Sequence, residues 1–189
     1  MAQGVKRAIT QLGREDGFNK DSFVRILVPK QLRKLSDKAR QLGAGKKVDQ
    51  FELSINRAAE KAIPAAADIS ADAVRQMTVQ DAINIVSGDE DAGTQFFRRV
   101  TEDKLRAKFM PIVADATAKT GVTKCYKEMA GKNSGLTKSL GGGESIDLDR
   151  YVTDEAMDGL YHYVAVQEKD IRKNPLKQSS NLLRKVFGT

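Results

Sequence analysis

Apolar residues recur at helical spacing along almost the whole chain. The first segment, 2–13, places four of them on one helix face before Gly13 ends the run: Val5, Ala8, Ile9 and Leu12. The same spacing predicts further helices over 30–42, 47–63, 65–77, 79–87, 94–119, 122–129, 153–173 and 179–187. Pro111 is expected to interrupt the 94–119 helix. The pattern predicts an all-α fold, a single-domain bundle of about eight helices over residues 1–189.

Two stretches depart from this spacing. Residues 23–28 form a β-branched and aromatic run that Pro29 ends, so at most one short extended segment is expected there. Residues 131–145 read GKNSGLTKSLGGGES, with three consecutive glycines and few apolar anchors. Such a composition is costly to hold in a helix and favours a flexible loop.

Acidic residues are best explained as helix starts and turns. Thr78 with Asp81 has the spacing of a capping box for the 79–87 helix. The cluster 89–91 lacks the glycine and glutamate positions of a calcium-binding loop, so a solvated turn is the better interpretation. Asp147 and Asp149 precede a predicted helix, where carboxylates favour the positive end of the helix dipole.

The net charge of +7 is concentrated in the first quarter of the chain. Residues 1–50 hold 12 Lys/Arg against 5 Asp/Glu, whereas the remainder is balanced. Within them, an amphipathic helix is predicted to dock through Leu32, Leu35, Ala39 and Leu42. Its cations are predicted to meet an anionic membrane surface or an acidic protein: Lys30, Arg33, Lys34, Lys38, Arg40, Lys46 and Lys47. Nothing in this pattern favours sequence-specific nucleic-acid binding.

No residue pattern indicates catalysis, a metal or a cofactor. The single Cys125 and the single His162 do not match the Cys/His spacings of zinc sites, and no nucleophile motif accompanies them. His162 lies among aromatic residues and is interpreted as a structural histidine. The sequence therefore predicts a non-enzymatic protein without a cofactor.

Polar residues within core-like helices offer a further candidate site. Asn56, Arg57 and Glu60 interrupt an apolar stripe, and Arg98 with Arg99 follows a Phe-Phe pair. At most one of two adjacent arginines can face the domain interior, and an inward arginine needs a carboxylate, a carbonyl or a bound anion as its partner. Either a structural network or a ligand site satisfies that need.

Several blocks of the chain resemble one family. They are ELSINRAAEKA, MTVQDAINIVSG, TQFFRRVTEDKLRAKFMPIV, TGVTKCY, DLDRYVTDEAMDGLYHYVAVQEKDIRKNP and SSNLLRKVFG. In this order they are similar to the bacterial family called domain of unknown function 4197. The resemblance implies a helical protein, mostly exported and located in the periplasm or cell envelope, provided that an export segment precedes this sequence. The matching polar positions carry no assigned role in it: Asn56, Arg57, Glu60, Arg98, Arg99, Tyr151 and Arg172.

Together these observations rank three functions. The first is a non-enzymatic binding or scaffolding domain of the cell envelope that presents its basic N-terminal surface to an anionic partner. The second is a carrier of a small apolar or anionic ligand held between helices. An enzyme ranks third.

Overall fold

A computed structural model describes residues 2–119 and 147–173 of the chain. The α-helices within these ranges are α1 (Ala2–Leu12), α2 (Arg33–Ala39), α3 (Gly45–Ala62), α4 (Ala66–Arg75), α5 (Val79–Ser87), α6 (Ala92–Lys119) and α7 (Leu148–Lys173). The described residues form no strand, not even at 23–28, which confirms the all-α class. The prediction of about eight helices is wrong, since five helices in the described ranges reach ten residues or more.

Pro111 does not interrupt α6, contrary to the expectation from the sequence. This helix continues through the proline for 28 residues. Phe109 and Val113 on either side of the proline are fully buried, and their packing outweighs the loss of one backbone hydrogen bond. The predicted helices 122–129 and 179–187, the 131–145 loop and Cys125 lie outside the described residues.

The centre of the fold is an antiparallel pair formed by α6 and α7. At one end, the Thr117 hydroxyl donates to the Asp149 carboxylate at 2.6 Å. At the other end, the Thr94 hydroxyl donates to the Glu168 carboxylate at 2.8 Å. Helices α1 and α3 pack on this pair, and α4 lies between α1 and α6. The shared core is built chiefly from aliphatic and phenylalanine side chains of these helices.

The helix predicted over 30–42 is not a single element in the structure. A short 3-10 turn (Lys30–Leu32) leads into α2, and a wide π turn (Arg40–Ala44) then leads into α3. Gly43 adopts φ = 80° inside that turn, a conformation that glycine reaches without steric cost. Leu32 is buried as predicted, but Leu42 beside the kink is 86% exposed and docks on nothing in the described residues.

An irregular segment, residues 13–29, wraps from α1 across α3 and α7. Phe18 is its fully buried anchor and lies against Gly159 of α7. A Cβ atom at Gly159 would stand 2.7 Å from the Phe18 ring, well inside van der Waals contact. The close passage of this segment over α7 therefore depends on a glycine at position 159.

We expect Gly159→Ala to destabilise the fold by about 1–3 kcal/mol, because the clash outweighs the better helix propensity of alanine. The matched control is Gly45→Ala in α3, where a Cβ would meet only the Arg40 side chain at 3.9 Å. That variant should be as stable as the wild type or more stable. Urea unfolding measures both, and equal free energies for the two variants would show that Phe18 yields freely.

Candidate functional site

Asn56 lies in the centre of α3 and serves the backbone of the irregular segment. Its side chain is fully buried. The amide oxygen accepts from the Ile26 N–H at 2.9 Å, while the amide nitrogen donates to the Ile26 carbonyl at 2.8 Å and to the Glu52 carbonyl at 2.7 Å. The Asn56 amide thus replaces the strand partner that residue 26 lacks.

Glu60, one helical turn further, serves the same segment. Its buried carboxylate accepts from the backbone N–H groups of Phe18 at 3.0 Å and Asn19 at 3.2 Å. Arg57 donates to Glu60 at 2.6 Å and to Asp16 at 2.7 Å. Hydrogen bonds from Lys20 first, and then from Asn19 and Arg57, hold the pKa of Asp16 well below its ordinary value. The Arg57–Glu60 pair is therefore part of a larger network and not an isolated intrahelical ion pair.

Tyr151 of α7 extends these contacts from the other side. Its hydroxyl donates to the Leu27 carbonyl at 3.0 Å, and burial raises the pKa of Tyr151 to about 12, so the donor remains protonated. Arg25 pairs with Glu52 at 2.9 Å, and the Tyr163 hydroxyl donates to Asp21. The candidate polar residues of α3 and Tyr151 thus converge on residues 16–27, and each has a protein partner.

Neither Arg98 nor Arg99 faces the domain interior. The side chains of Arg98 and Arg99 are 48% and 70% exposed. Arg98 pairs with Asp158 and lies over the Tyr161 ring at 4.8 Å from its centroid, while Arg99 lies 5.5 Å from the centroid of Phe96. Neither arginine therefore needs a buried partner, because both guanidinium groups reach solvent along the aromatic faces.

Arg172, near the end of α7, is the better-covered arginine. It donates to the Ile85 carbonyl at 2.6 Å and to the Glu168 carboxylate at 2.9 Å. Glu168 in turn accepts from the N–H groups of Gly93 and Thr94 at the start of α6, at 2.9 and 2.8 Å. This pair joins three helices beside a cavity of about 290 Å³ that Ile85, Val86 and Ile171 help to line.

We expect Glu168→Gln to lower the free energy of unfolding at pH 7 by about 1–3 kcal/mol, since charge-assisted bonds to the α6 amides are lost. Burial raises the pKa of Glu168, but the bonds from Gly93, Arg172 and Thr94 prevail and lower it below its ordinary 4.5. Its contribution is complete above that pH and is lost as the pH falls through the depressed pKa. Unfolding curves from pH 7 to 3 should therefore converge for variant and wild type, whereas a constant difference would contradict this assignment.

The basic segment 30–47 holds seven cations and one carboxylate, Asp37. Arg40 donates to Asp49 at 2.6 Å, so its charge is locally balanced. The other six predicted cations are exposed and have no carboxylate within 4.0 Å among the described residues: Lys30, Arg33, Lys34, Lys38, Lys46 and Lys47. We call these six side chains with the neighbouring Leu42 the cationic surface.

Metal binding and membrane spanning find no support in the described residues. Residues 2–119 and 147–173 contain no group of three or more side chains that could hold a metal ion. His162 is exposed and stacks on Phe23, with ring centroids 5.9 Å apart. Among the described helices none is sufficiently long and apolar to cross a membrane.

The comparisons with known proteins agree with the sequence resemblance. Residues 1–188 match the model of a family described as "Protein of unknown function (DUF4197)". The chain belongs to this family. No curated protein and no solved structure matches the DUF4197 chain. Membership therefore supplies no activity, and the site must be interpreted from its own geometry.

The importance of Glu168 and Glu52 was not predicted from the sequence of this DUF4197 chain, although each pairs with an arginine as Glu60 does. Their main partners lie far away in sequence, at Gly93 and Thr94 for Glu168 and at Arg25 for Glu52. The only local signal is a half-buried acidic residue on a helix face that otherwise packs inward. Glu168 stands four residues after the buried Val164, on such a face.

Proposed function

We propose that this protein is a non-enzymatic binding domain of the cell envelope that attaches to an anionic lipid surface through its cationic surface. The observation that carries this proposal is the segment 30–47, which holds six exposed cations without ion pairs in the described residues together with the exposed Leu42. A location in the envelope is supported by the family resemblance.

Leu42 favours a lipid surface over an acidic protein or another polyanion. Surface cations that serve solubility alone need no apolar neighbour, whereas a basic surface that meets a bilayer gains from an apolar side chain entering the headgroup region. Lys38, Arg40 and Lys46 lie near Leu42 in the chain on either side of the Gly43 kink. Electrostatic attraction would bring the domain to the bilayer, and Leu42 would add a contact that salt does not screen.

Sedimentation with vesicles tests the proposal directly. The full chain should sediment with vesicles that contain phosphatidylglycerol at low salt, sediment less at 0.5 M salt, and remain in solution with purely zwitterionic vesicles. Retention on heparin gives the response to a polyanion that has no apolar layer. Absence of binding to anionic vesicles at low salt would remove the proposal.

We expect Leu42→Ser to weaken vesicle binding by roughly tenfold, because one buried leucine contributes about 1.5–3 kcal/mol when fully inserted and less when partly inserted. Its retention on heparin and its free energy of unfolding should stay unchanged, since Leu42 is 86% exposed in the fold. Equal vesicle binding by variant and wild type would show that Leu42 does not contribute and that the attraction is purely electrostatic.

A second candidate function is the carrier, and one groove favours it. Helices α1 and α4 enclose about 420 Å³ lined by Ile9, Ala67 and Val74, with the Lys6 side chain among its polar residues. An apolar floor with one cation suits a small amphiphilic acid. Native mass spectrometry of gently purified protein would show a retained molecule, which Ile9→Trp should displace.

A further inference from the structure

Helix α5 carries an apolar face that no described residue covers. It has no buried residue along its length. Val79, Ile83 and Val86 follow one another at helical spacing and are 80%, 53% and 78% exposed. Its capping box, with the Thr78 hydroxyl accepting from the Asp81 N–H at 3.1 Å, fixes a defined helix start. A short helix that exposes an apolar stripe needs a partner to bury it.

The chain leaves α7 directly beside this face. Arg172, one residue before the end of α7, donates to the Ile85 carbonyl of α5, and Ile171 borders the same cavity as Val86. Residues 174–189 continue from there and include apolar residues at 182, 183, 186 and 187, a helical spacing. The other undescribed stretch, 120–146, connects the end of α6 to the start of α7. Since α6 rises about 1.5 Å per residue, that end of α6 is about 40 Å from the end beside α5.

The charges of the two partners are complementary. Residues 76–97, which contain α5 and the turn after it, hold four carboxylates and no Lys or Arg: Asp81, Asp89, Glu90 and Asp91. Residues 174–189 hold three cations and no carboxylate: Lys177, Arg184 and Lys185. Glu90 already pairs with Lys169 of α7 at 2.7 Å, so the acidic turn attracts cations from the α7 side of the fold.

We infer that the apolar face of α5 is the docking site of the protein's own C-terminal segment, residues 174–189. Leu182, Leu183, Val186 and Phe187 supply the apolar contacts, and the three cations lie towards the acidic turn. This inference is independent of the cationic surface and of its lipid partner.

Disulfide trapping in the full chain tests the contact. In a Cys125→Ser background, Val86→Cys is combined with Phe187→Cys, and Ile83→Cys with Val186→Cys to allow for a shift in register. Because a disulfide requires Cα atoms within about 7 Å, mild oxidation should link each pair within one molecule. The control pair Lys119→Cys with Phe187→Cys, at the far end of α6, should stay reduced. Links formed only between molecules would overturn the inference in favour of a second copy.

Alkylation provides a measurement that does not depend on register. The probe is the thiol of Ile83→Cys, again with Cys125→Ser. It should react roughly tenfold more slowly when the C-terminal segment is intact than when that segment carries Leu183→Asp and Phe187→Asp. A tenfold factor corresponds to a docking free energy of about 1.4 kcal/mol. Helix content by circular dichroism should match between the two proteins. Equal alkylation rates would show an open α5 face and overturn the inference.

Discussion

Asn56→Ala is expected to lose about 3–5 kcal/mol of unfolding free energy, much of what a domain of this size has. The substitution leaves the Ile26 N–H and carbonyl without their side-chain partner in a buried environment, and each unsatisfied group costs about 1–3 kcal/mol. A small cavity adds to this loss. Urea unfolding monitored by circular dichroism gives the difference.

The matched control is Asn84→Ala on α5. Asn84 is exposed, and among the described residues its side chain pairs with Gln80 at 2.9 Å, so its loss should change stability by less than about 0.5 kcal/mol. Asn56→Asp is a second, sharper variant, because the carboxylate keeps the acceptor for Ile26 but loses both donated bonds.

The pH dependence of Asn56→Asp follows from its burial. Burial raises the folded-state pKa of the new carboxyl group above its unfolded value, so its protonated form is the one that the fold tolerates. The stability deficit relative to wild type should be smallest in acid and grow as the pH rises through that pKa. A deficit independent of pH, or a stable Asn56→Ala, would show that other contacts hold residues 16–27.

The predictions that rest on local sequence patterns were correct for the helix starts. The capping box at Thr78 and Asp81 forms as predicted, because both partners lie within one turn. Asp147 likewise accepts from the Arg150 N–H at the start of α7. The continuous α6 was not predictable in this way, since the burial of Phe109 and Val113 around Pro111 is a tertiary effect.

In the candidate site, too, the local features were predictable and the long-range partners were not. The sequence identified Asn56 and Glu60 as unusual, because a polar residue in an apolar stripe must find a partner. It did not identify the partners, which are backbone groups of Ile26, Phe18 and Asn19 and lie 30 to 42 residues away. The exposure of Leu42 was not predicted either. Helical spacing places residues on one face only while the helix is regular, and the chain kinks at Gly43.

The second large effect is expected from charge reversal on the cationic surface. The variant combines Arg33→Glu, Lys34→Glu, Lys38→Glu and Lys46→Glu, all at side chains without ion pairs in the described residues; Arg40 is left unchanged because it pairs with Asp49. Each basic residue near an anionic bilayer contributes about 1 kcal/mol, so losing four should weaken vesicle binding by roughly a thousandfold. Sedimentation with phosphatidylglycerol vesicles at low salt measures the loss.

A matched variant separates this surface from net charge. Arg7→Glu, Arg14→Glu, Lys104→Glu and Lys108→Glu also reverse four exposed cations, so both proteins change from +7 to −1. The two variants are compared at 0.1 M salt, where the Debye length is about 10 Å and charges further than this from the contact are largely screened, so the matched variant should retain most of its binding. Helix content and urea midpoint should agree between the two. Equal losses in both would assign the binding to overall charge, and binding by the first variant at wild-type strength would remove residues 30–47 from the proposed interface.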